Sequence, residues 1–230
     1  MSIRVVALPG TLCPPEIFDR LATALGDDVR VDAVPWLTEP GPWDIASVAA
    51  RVVRRIEQGG EPVLLVGHST GGAVALRVAL DRPDLVSALL LLNTGAHMQG
   101  HGDVQAILRQ VREDWGEELR AAVLDRSFAE PPDAATRTLW LAWSATVEAD
   151  AVHQVLASQA ALDLRPELPG LAVRTSVVHG ELDRARTVEH ARGLVAAIPD
   201  ARLTLLDTGH SPMHEAPAAV AAALRALARG

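Results

Sequence analysis

The ten residues V63-L64-L65-V66-G67-H68-S69-T70-G71-G72 constrain this chain more tightly than any other segment. Four consecutive aliphatic residues read as a strand buried on both faces. The run A73-V74-A75-L76-R77-V78-A79-L80 that follows reads as a helix. A single turn must therefore join strand to helix, and that turn carries a serine set among glycines. A serine there can be a turn residue or a helix cap. The strand-to-helix setting favours a different role, a nucleophile held on a sharp elbow. Gly67 and Gly71 allow the backbone to turn tightly enough to hold the Ser69 Oγ clear of the sheet. Gly72 permits close packing of helix on strand, and the helix N-terminus adds partial positive charge where an oxyanion would form.

The same alternation runs through most of the chain. Strands are expected at 3–8, 29–34, 62–67, 86–92, 173–178 and 202–207, each continuously apolar or nearly so. Helices are expected at 14–25, 44–58, 70–82, 187–197 and 215–229. Repeated βαβ units of this kind build an α/β fold, a mainly parallel sheet of about six strands flanked by helices. Residues 96–170 break the rhythm. They contain no convincing strand and read as amphipathic helices at 103–115, 117–128, 133–147 and 148–163. The segment carries Trp115, Phe128, Trp140 and Trp143, in a chain with only five Trp, two Phe and no Tyr. A helical excursion from a sheet is expected to cover the strand ends, where ligands bind. The expected organisation is a core of 1–95 and 171–230 with an all-helical cap insertion, or lid, at 96–170.

Composition removes several function classes. A chain of 230 residues with 49% hydrophobic side chains can bury a sizeable core, filled mainly by Leu, Val and Ala. Its formal net charge of -8, from 21 basic and 29 acidic residues, argues against a nucleic-acid binder and against a polybasic membrane patch. The one cysteine, Cys13, allows no intrachain disulfide and no Cys-based metal site. The apolar run near the N-terminus is too short for a signal-peptide core. No uninterrupted apolar stretch reaches the roughly 18 residues of a membrane span. A soluble cytoplasmic protein is the expectation.

A serine hydroxyl is a weak nucleophile at neutral pH and needs a base, which in turn needs an orienting acid. The last third of the chain offers both. H179-G180-E181-L182-D183 follows one expected strand and T208-G209-H210-S211-P212 follows the next. Both loops lie at the carboxyl ends of their strands, on the same sheet edge as Ser69. Glu181 and Asp183 are the candidate acids, whereas Asp207 reads as the end of its strand. His214 competes with His210, but E215-A216-P217 marks it as a helix-entry or pocket-rim residue. The pair forms an H-x-x-x-H pattern, yet Pro212 interrupts the helix that a metal-binding pair requires. No metal is expected. His68 is expected to pack or line the site rather than act as base, and His97 and His101 are expected to be solvated.

Taken together, L8-P9-G10-T11, G67-H68-S69-T70-G71-G72, H179-G180-E181-L182-D183 and D207-T208-G209-H210-S211-P212-M213-H214-E215-A216-P217 resemble the α/β-hydrolase superfamily, over essentially the full length of the chain. The resemblance implies the α/β-hydrolase fold with a helical cap. It implies Ser69 as nucleophile, His210 as general base and, from the family's G-x-x-D pattern, Asp183 as the acid of a catalytic triad. It places the chain's first strand at the family's usual third. An oxyanion hole needs two N–H donors. The resemblance points to the Thr70 N–H for one and to the loop after the first strand for the other. Where the family usually has His-Gly, this sequence has Pro9-Gly10, so Thr11 is the expected second donor and Leu12 the reserve. Cys13 beside them is expected to be a small buried apolar residue.

The expected activity is that of a serine esterase. It cleaves the carboxylic ester of a small, mainly apolar substrate through an acyl-enzyme, with no cofactor. Leu12, His68, Trp115, Trp140 and Trp143 are expected to contact that substrate. The same triad would serve a thioesterase or lactonase acting on a biosynthetic intermediate, or a slow-turnover ligand-binding or signalling protein. In each case the partner is a small molecule, an ester or thioester for the enzymes.

Overall fold

In the computed structural model, which describes residues 3–100 and 102–229, strands and helices alternate along the chain. The first half runs β1 (Ile3–Leu8), α1 (Asp19–Leu25), β2 (Val29–Ala33), α2 (Ile45–Gln58), β3 (Val63–His68), α3 (Thr70–Asp81) and β4 (Val86–Leu92). Four helices follow without a strand, α4 (Val104–Glu113), α5 (Glu117–Arg126), α6 (Ala134–Ser144) and α7 (Ala149–Ala161). The sheet resumes with β5 (Thr175–Gly180), α8 (Val188–Ala197), β6 (Arg202–Leu206), α9 (Pro212–Glu215) and α10 (Pro217–Arg229).

All six strands are parallel, in the order β2-β1-β3-β4-β5-β6. Alternation along each strand sends successive side chains to opposite faces. Val6, Leu8, Leu65, Leu89, Leu91 and Val177 pack with Val48, Val52, Val74 and Val78 of α2 and α3. Val5, Ala7, Leu64, Val66, Leu90 and Val178 pack with Leu21, Leu25, Val220 and Leu224 of α1 and α10. Each fully buried Leu or Val contributes about 1.5–3 kcal/mol relative to exposure. The edge strands differ from the expectation of near-continuous burial. β2 and β6 are only partly covered, because each has one neighbour, and Arg30 and Arg202 stand exposed on them.

Local chemistry sets the element ends. Asp44, Asp103 and Asp133 cap α2, α4 and α6 by accepting the N–H groups of Ser47, Ala106 and Thr136. The last helix is expected over 215–229, but the structure divides there. A short helix over Pro212–Glu215 ends at Ala216, and Pro217 opens the next. Proline has no N–H to continue a helix but suits a first turn.

The four inserted helices leave and rejoin the sheet at one neck. His97 and Asp163 form an isolated antiparallel bridge, and the Leu164 N–H donates to Ala96 O at 2.9 Å. His97 is half-buried there rather than solvated, with its ring centroid 5.4 Å from that of His190. His101 lies outside the described residues.

The tightest helix-on-strand contact is at Gly71. A Cβ on this residue would sit 2.2 Å from Leu8 O and 2.6 Å from Pro9 O, both backbone atoms that cannot give way. Gly71→Ala is expected to cost about 2–3 kcal/mol by overpacking. Gly193 of α8 meets nothing within 4 Å, and Gly193→Ala should stabilise by about 0.5–1 kcal/mol through helix propensity. Urea unfolding of the two variants checks both signs.

Candidate active site

The elbow after β3 is built by crowding. Ser69 adopts φ 52° and ψ -119°, a conformation rarely held by an L-residue. Such strain costs on the order of 1–3 kcal/mol and persists only where the surroundings enforce it. Here the Ser69 N–H donates to Leu92 O at 3.0 Å, and Ser69 O accepts from Thr94 Oγ1 at 2.7 Å and from the Gly72 N–H at 2.9 Å. A Cβ on Gly72 would meet the Thr94 side chain at 2.5 Å, so glycine alone lets α3 come this close.

The loop after β1 lies against the elbow. The Cys13 N–H donates to Gly10 O at 3.1 Å, closing a turn in which Leu12 has φ 61°. Thr11 Oγ1 donates to Thr70 Oγ1 at 2.9 Å, and Thr70 Oγ1 donates to Gln159 Oε1 of α7, also at 2.9 Å. Among the described residues no protein acceptor takes the Thr11 or Leu12 N–H. Thr70 begins α3, so its N–H has no partner within the helix. Burial pushes the Cys13 thiol up to about 12, partly countered by a backbone hydrogen bond at Gly10, and leaves it a neutral part of the cavity wall.

His210 and Asp183 come together from the loops after β6 and β5. His210 Nδ1 is 2.7 Å from Asp183 Oδ2, in a pair that is almost wholly buried. Asp183 Oδ1 accepts the Ala185 and Arg186 N–H groups at 2.7 and 2.9 Å. Burial by itself would raise this carboxyl. His210, Asn93 and the Arg186 backbone more than offset that and hold it well below the usual carboxylate range. With Nδ1 engaged, His210 Nε2 has no protein partner among the described residues and, with Ser69, lines one cavity. No hydrogen bond joins Ser69 Oγ to His210 in this structure, a spacing common when no substrate is bound.

Two supports were not anticipated from the sequence. Asn93, at the end of β4 with φ 45°, donates from Nδ2 to Asp183 Oδ2 at 2.7 Å and to Gly209 O at 3.2 Å. Its Oδ1 accepts the Gly180 N–H at 3.3 Å, so one amide holds both loops. Glu215 accepts the N–H groups of Gly209, Ser211 and Ala129, tying the His210 loop to the helical insertion. The only signal for Asn93 in the sequence is a lone polar residue closing the run V86-S87-A88-L89-L90-L91-L92.

His68 requires a correction. It is expected to touch substrate, but it is fully buried behind the elbow and does not line the cavity. Its Nδ1 accepts the Gly10 N–H at 3.2 Å, which places the ring proton on Nε2, the donor to His210 O at 2.9 Å. One imidazole thus links the β1 loop to the His210 loop and braces a loop that has Pro9 in place of the family's usual histidine. Burial, followed by the neighbouring His210, pushes His68 down to about 3, so it is neutral.

The cavity is walled by Thr11, Leu12 and Met98 on the sheet side and by Trp115, Val152 and Leu156 among the inserted helices. Trp115 and Leu12 therefore share the cavity of Ser69 and His210. Trp140 and Trp143 do not. They flank a separate groove with Arg20 and His214, and Trp140 packs tilted on Phe128 and edge-on to His214, with centroids 5.5 and 5.0 Å apart. The face of α6 that carries Trp140 packs on α5 and α9, away from Ser69. His214 is a buried packing residue in α9, held down to about 4 chiefly by burial.

A model of the alpha/beta hydrolase family matches residues 5–223, and the chain belongs to this family. It is 38% identical over 105 residues to lipase LipV of Mycobacterium tuberculosis, a match covering 42% of this chain and 39% of the lipase. It is 33% identical over 228 residues to the polyketide synthase ThaQ of Burkholderia thailandensis, covering 90% of this chain and 11% of the synthase. The chain thus spans well under two thirds of either relative. Among solved structures, an esterase from Exiguobacterium antarcticum superposes with a TM-score of 0.90 at 21% identity, covering 100% of this chain and 92% of the esterase. Among the described residues no helix is long and apolar enough to cross a membrane, and no group of three or more His, Cys, Asp or Glu is placed to hold a metal ion.

The buried neutral imidazoles have a consequence for stability. A His68 that stays neutral in the fold down to about pH 3 but titrates near 6.5 when unfolded gives the unfolded chain more bound protons between those values. Stability therefore rises with pH across that window and is lost on acidification. Asp183, with a lowered carboxyl, adds stability above its unfolded range that is lost only at still lower pH. In His68→Gln the slope of unfolding free energy against pH between 4 and 6 should fall by about one proton. Urea midpoints measured across that range provide the check.

Proposed function

We propose that this protein is a serine hydrolase that cleaves a carboxylic ester of a small, mainly apolar substrate. The observation that carries the reading is the His210–Asp183 pair at 2.7 Å, opening with Ser69 onto one mostly apolar cavity. Ser69 Oγ attacks the carbonyl carbon as His210 Nε2 takes its proton. Asp183 fixes the imidazole with its proton on Nδ1 and stabilises the imidazolium. The Thr70 and Thr11 N–H groups hold the oxyanion, and Leu12 and Trp115 contact the substrate. The tetrahedral intermediate collapses, and His210 returns the proton to the departing alcohol. Water, deprotonated by His210, then attacks the acyl-enzyme carbonyl, and as its bond to Ser69 Oγ breaks His210 returns the proton to Oγ and the acid is released. No cofactor enters these steps. The helical segment 96–170 acts as the cap, with 1–95 and 171–230 as the core.

A second reading, hydrolysis of a thioester or lactone of a biosynthetic intermediate, draws on the likeness to a polyketide synthase over 90% of this chain. The same residues would perform it.

The deciding experiment is burst kinetics with p-nitrophenyl acetate and p-nitrophenyl octanoate. Wild type should release a stoichiometric burst. Ser69→Ala should lack it and turn over on the order of a million-fold more slowly. Equal turnover by both proteins would remove Ser69 from the mechanism.

A further inference from the structure

We infer that the substrate carries a carboxylate, recognised by Arg186 in the cavity wall beside His210. The inference rests on the hydrolase reading and narrows its substrate class. Arg186 follows Asp183 in the loop after β5 and is 3% exposed, yet it lines the same cavity as Ser69 and His210. Among the described residues no carboxylate lies within ion-pair distance of it. Its guanidinium makes one protein hydrogen bond, from Nη1 to His97 O at 3.2 Å, and Nε has no acceptor at all. A guanidinium offers five N–H donors, so most of its capacity is unused.

A buried cation with no carboxylate in ion-pair contact is costly and calls for a reason. Burial lowers Arg186 to about 10, with the more distant Asp183 carboxylate partly offsetting it, so it remains charged at neutral pH. The cavity around it is mostly apolar, and no Asp or Glu lines it. Its only other formal cation is Arg126 of α5, for which no acidic partner is present among the described residues. Two arginines and no acid in the cavity of a chain with net charge -8 form a local positive site. Guanidinium groups bind carboxylates through paired, charge-assisted hydrogen bonds. A carboxylate seated there would complete the ion pair that the protein leaves open, while the ester carbonyl lies at Ser69.

The test compares p-nitrophenyl hydrogen glutarate with p-nitrophenyl methyl glutarate, the same acyl chain with its distal carboxylate capped. Wild type should favour the free acid in kcat/KM by about tenfold or more, the range of a charge-assisted contact. Arg186→Met should lose at least that factor in the ratio, and Arg186→Lys should keep part of it. Two readouts guard against a variant that fails to fold. The wild-type preference needs no variant, and Arg126→Ser alters an exposed residue and should narrow the ratio. Glutarate itself should raise the wild-type melting temperature, and butyrate at equal concentration should not. If neither ester is hydrolysed but glutarate still stabilises wild type and not Arg186→Met, the hydrolase reading fails and the carboxylate site stands. Equal rates on the two esters with no thermal shift by glutarate would overturn the inference.

Discussion

The strained backbone at Ser69 is the constraint on which the rest of the site depends. A left-handed φ at a serine is unfavourable on its own, and three contacts hold it in place. β4 accepts the Ser69 N–H, Thr94 donates to its carbonyl, and α3 is drawn in until Gly71 and Gly72 touch the β1 loop and Thr94. Those approaches require a fully packed sheet, since β1, β3 and β4 end at Leu8, His68 and Leu92 beside the elbow. The hydrophobic core thus provides the strain energy that presents Oγ to the cavity, and packing connects directly to chemistry.

Around the elbow, many of the buried polar groups are joined by hydrogen bonds between loops. Asp183 accepts four hydrogen bonds, from His210, Asn93 and two backbone amides. His68 ties the loop after β1 to the loop after β6. Each loop is therefore fixed both by bonds of its own and by a neighbour from another strand. A half-satisfied network of this kind would be worse than an apolar core. Among the described residues, four buried polar atoms in and beside these loops lack a protein partner, His179 Nδ1, Thr208 Oγ1, Ser211 Oγ and Arg186 Nε, and of these residues only Arg186 lines the cavity shared by Ser69 and His210.

The inserted helices connect to the site through a few specific contacts. A hydrogen-bond chain from Thr11 through Thr70 to the Gln159 amide oxygen runs from the β1 loop to α7, and Glu215 reaches the Ala129 N–H just past α5. Any shift of α7 would pull on the Thr70 side chain, next to Ser69 in the cavity wall.

Local pattern carried much of this in advance. β1 and β4 match their expected limits to the residue, because uninterrupted aliphatic runs bounded by polar or turn residues leave little choice. Ser69, Asp183 and His210 were legible because parallel strands all end on one edge, which is a consequence of topology and readable from element order. What periodicity could not reach were contacts set by three-dimensional neighbours. Nothing local to V66-G67-H68 says that His68 turns inward to bridge two loops, or that Asn93 meets Asp183 across β4 and β5. Trp140 and Trp143 have the same composition as Trp115 but sit on helix faces that pack away from Ser69, because their orientation depends on how α5, α6 and α9 meet. The sequence by itself determined the order and type of the strands, the elbow and the residue types of the candidate site, since steric and hydrophobic rules act over a few neighbours, while the limits of β2, β3, β5 and β6 lie one or two residues from those expected. Tertiary structure decided which polar groups pair, which aromatics face the cavity and which cation is left unpaired, since those depend on distances between segments far apart in the chain.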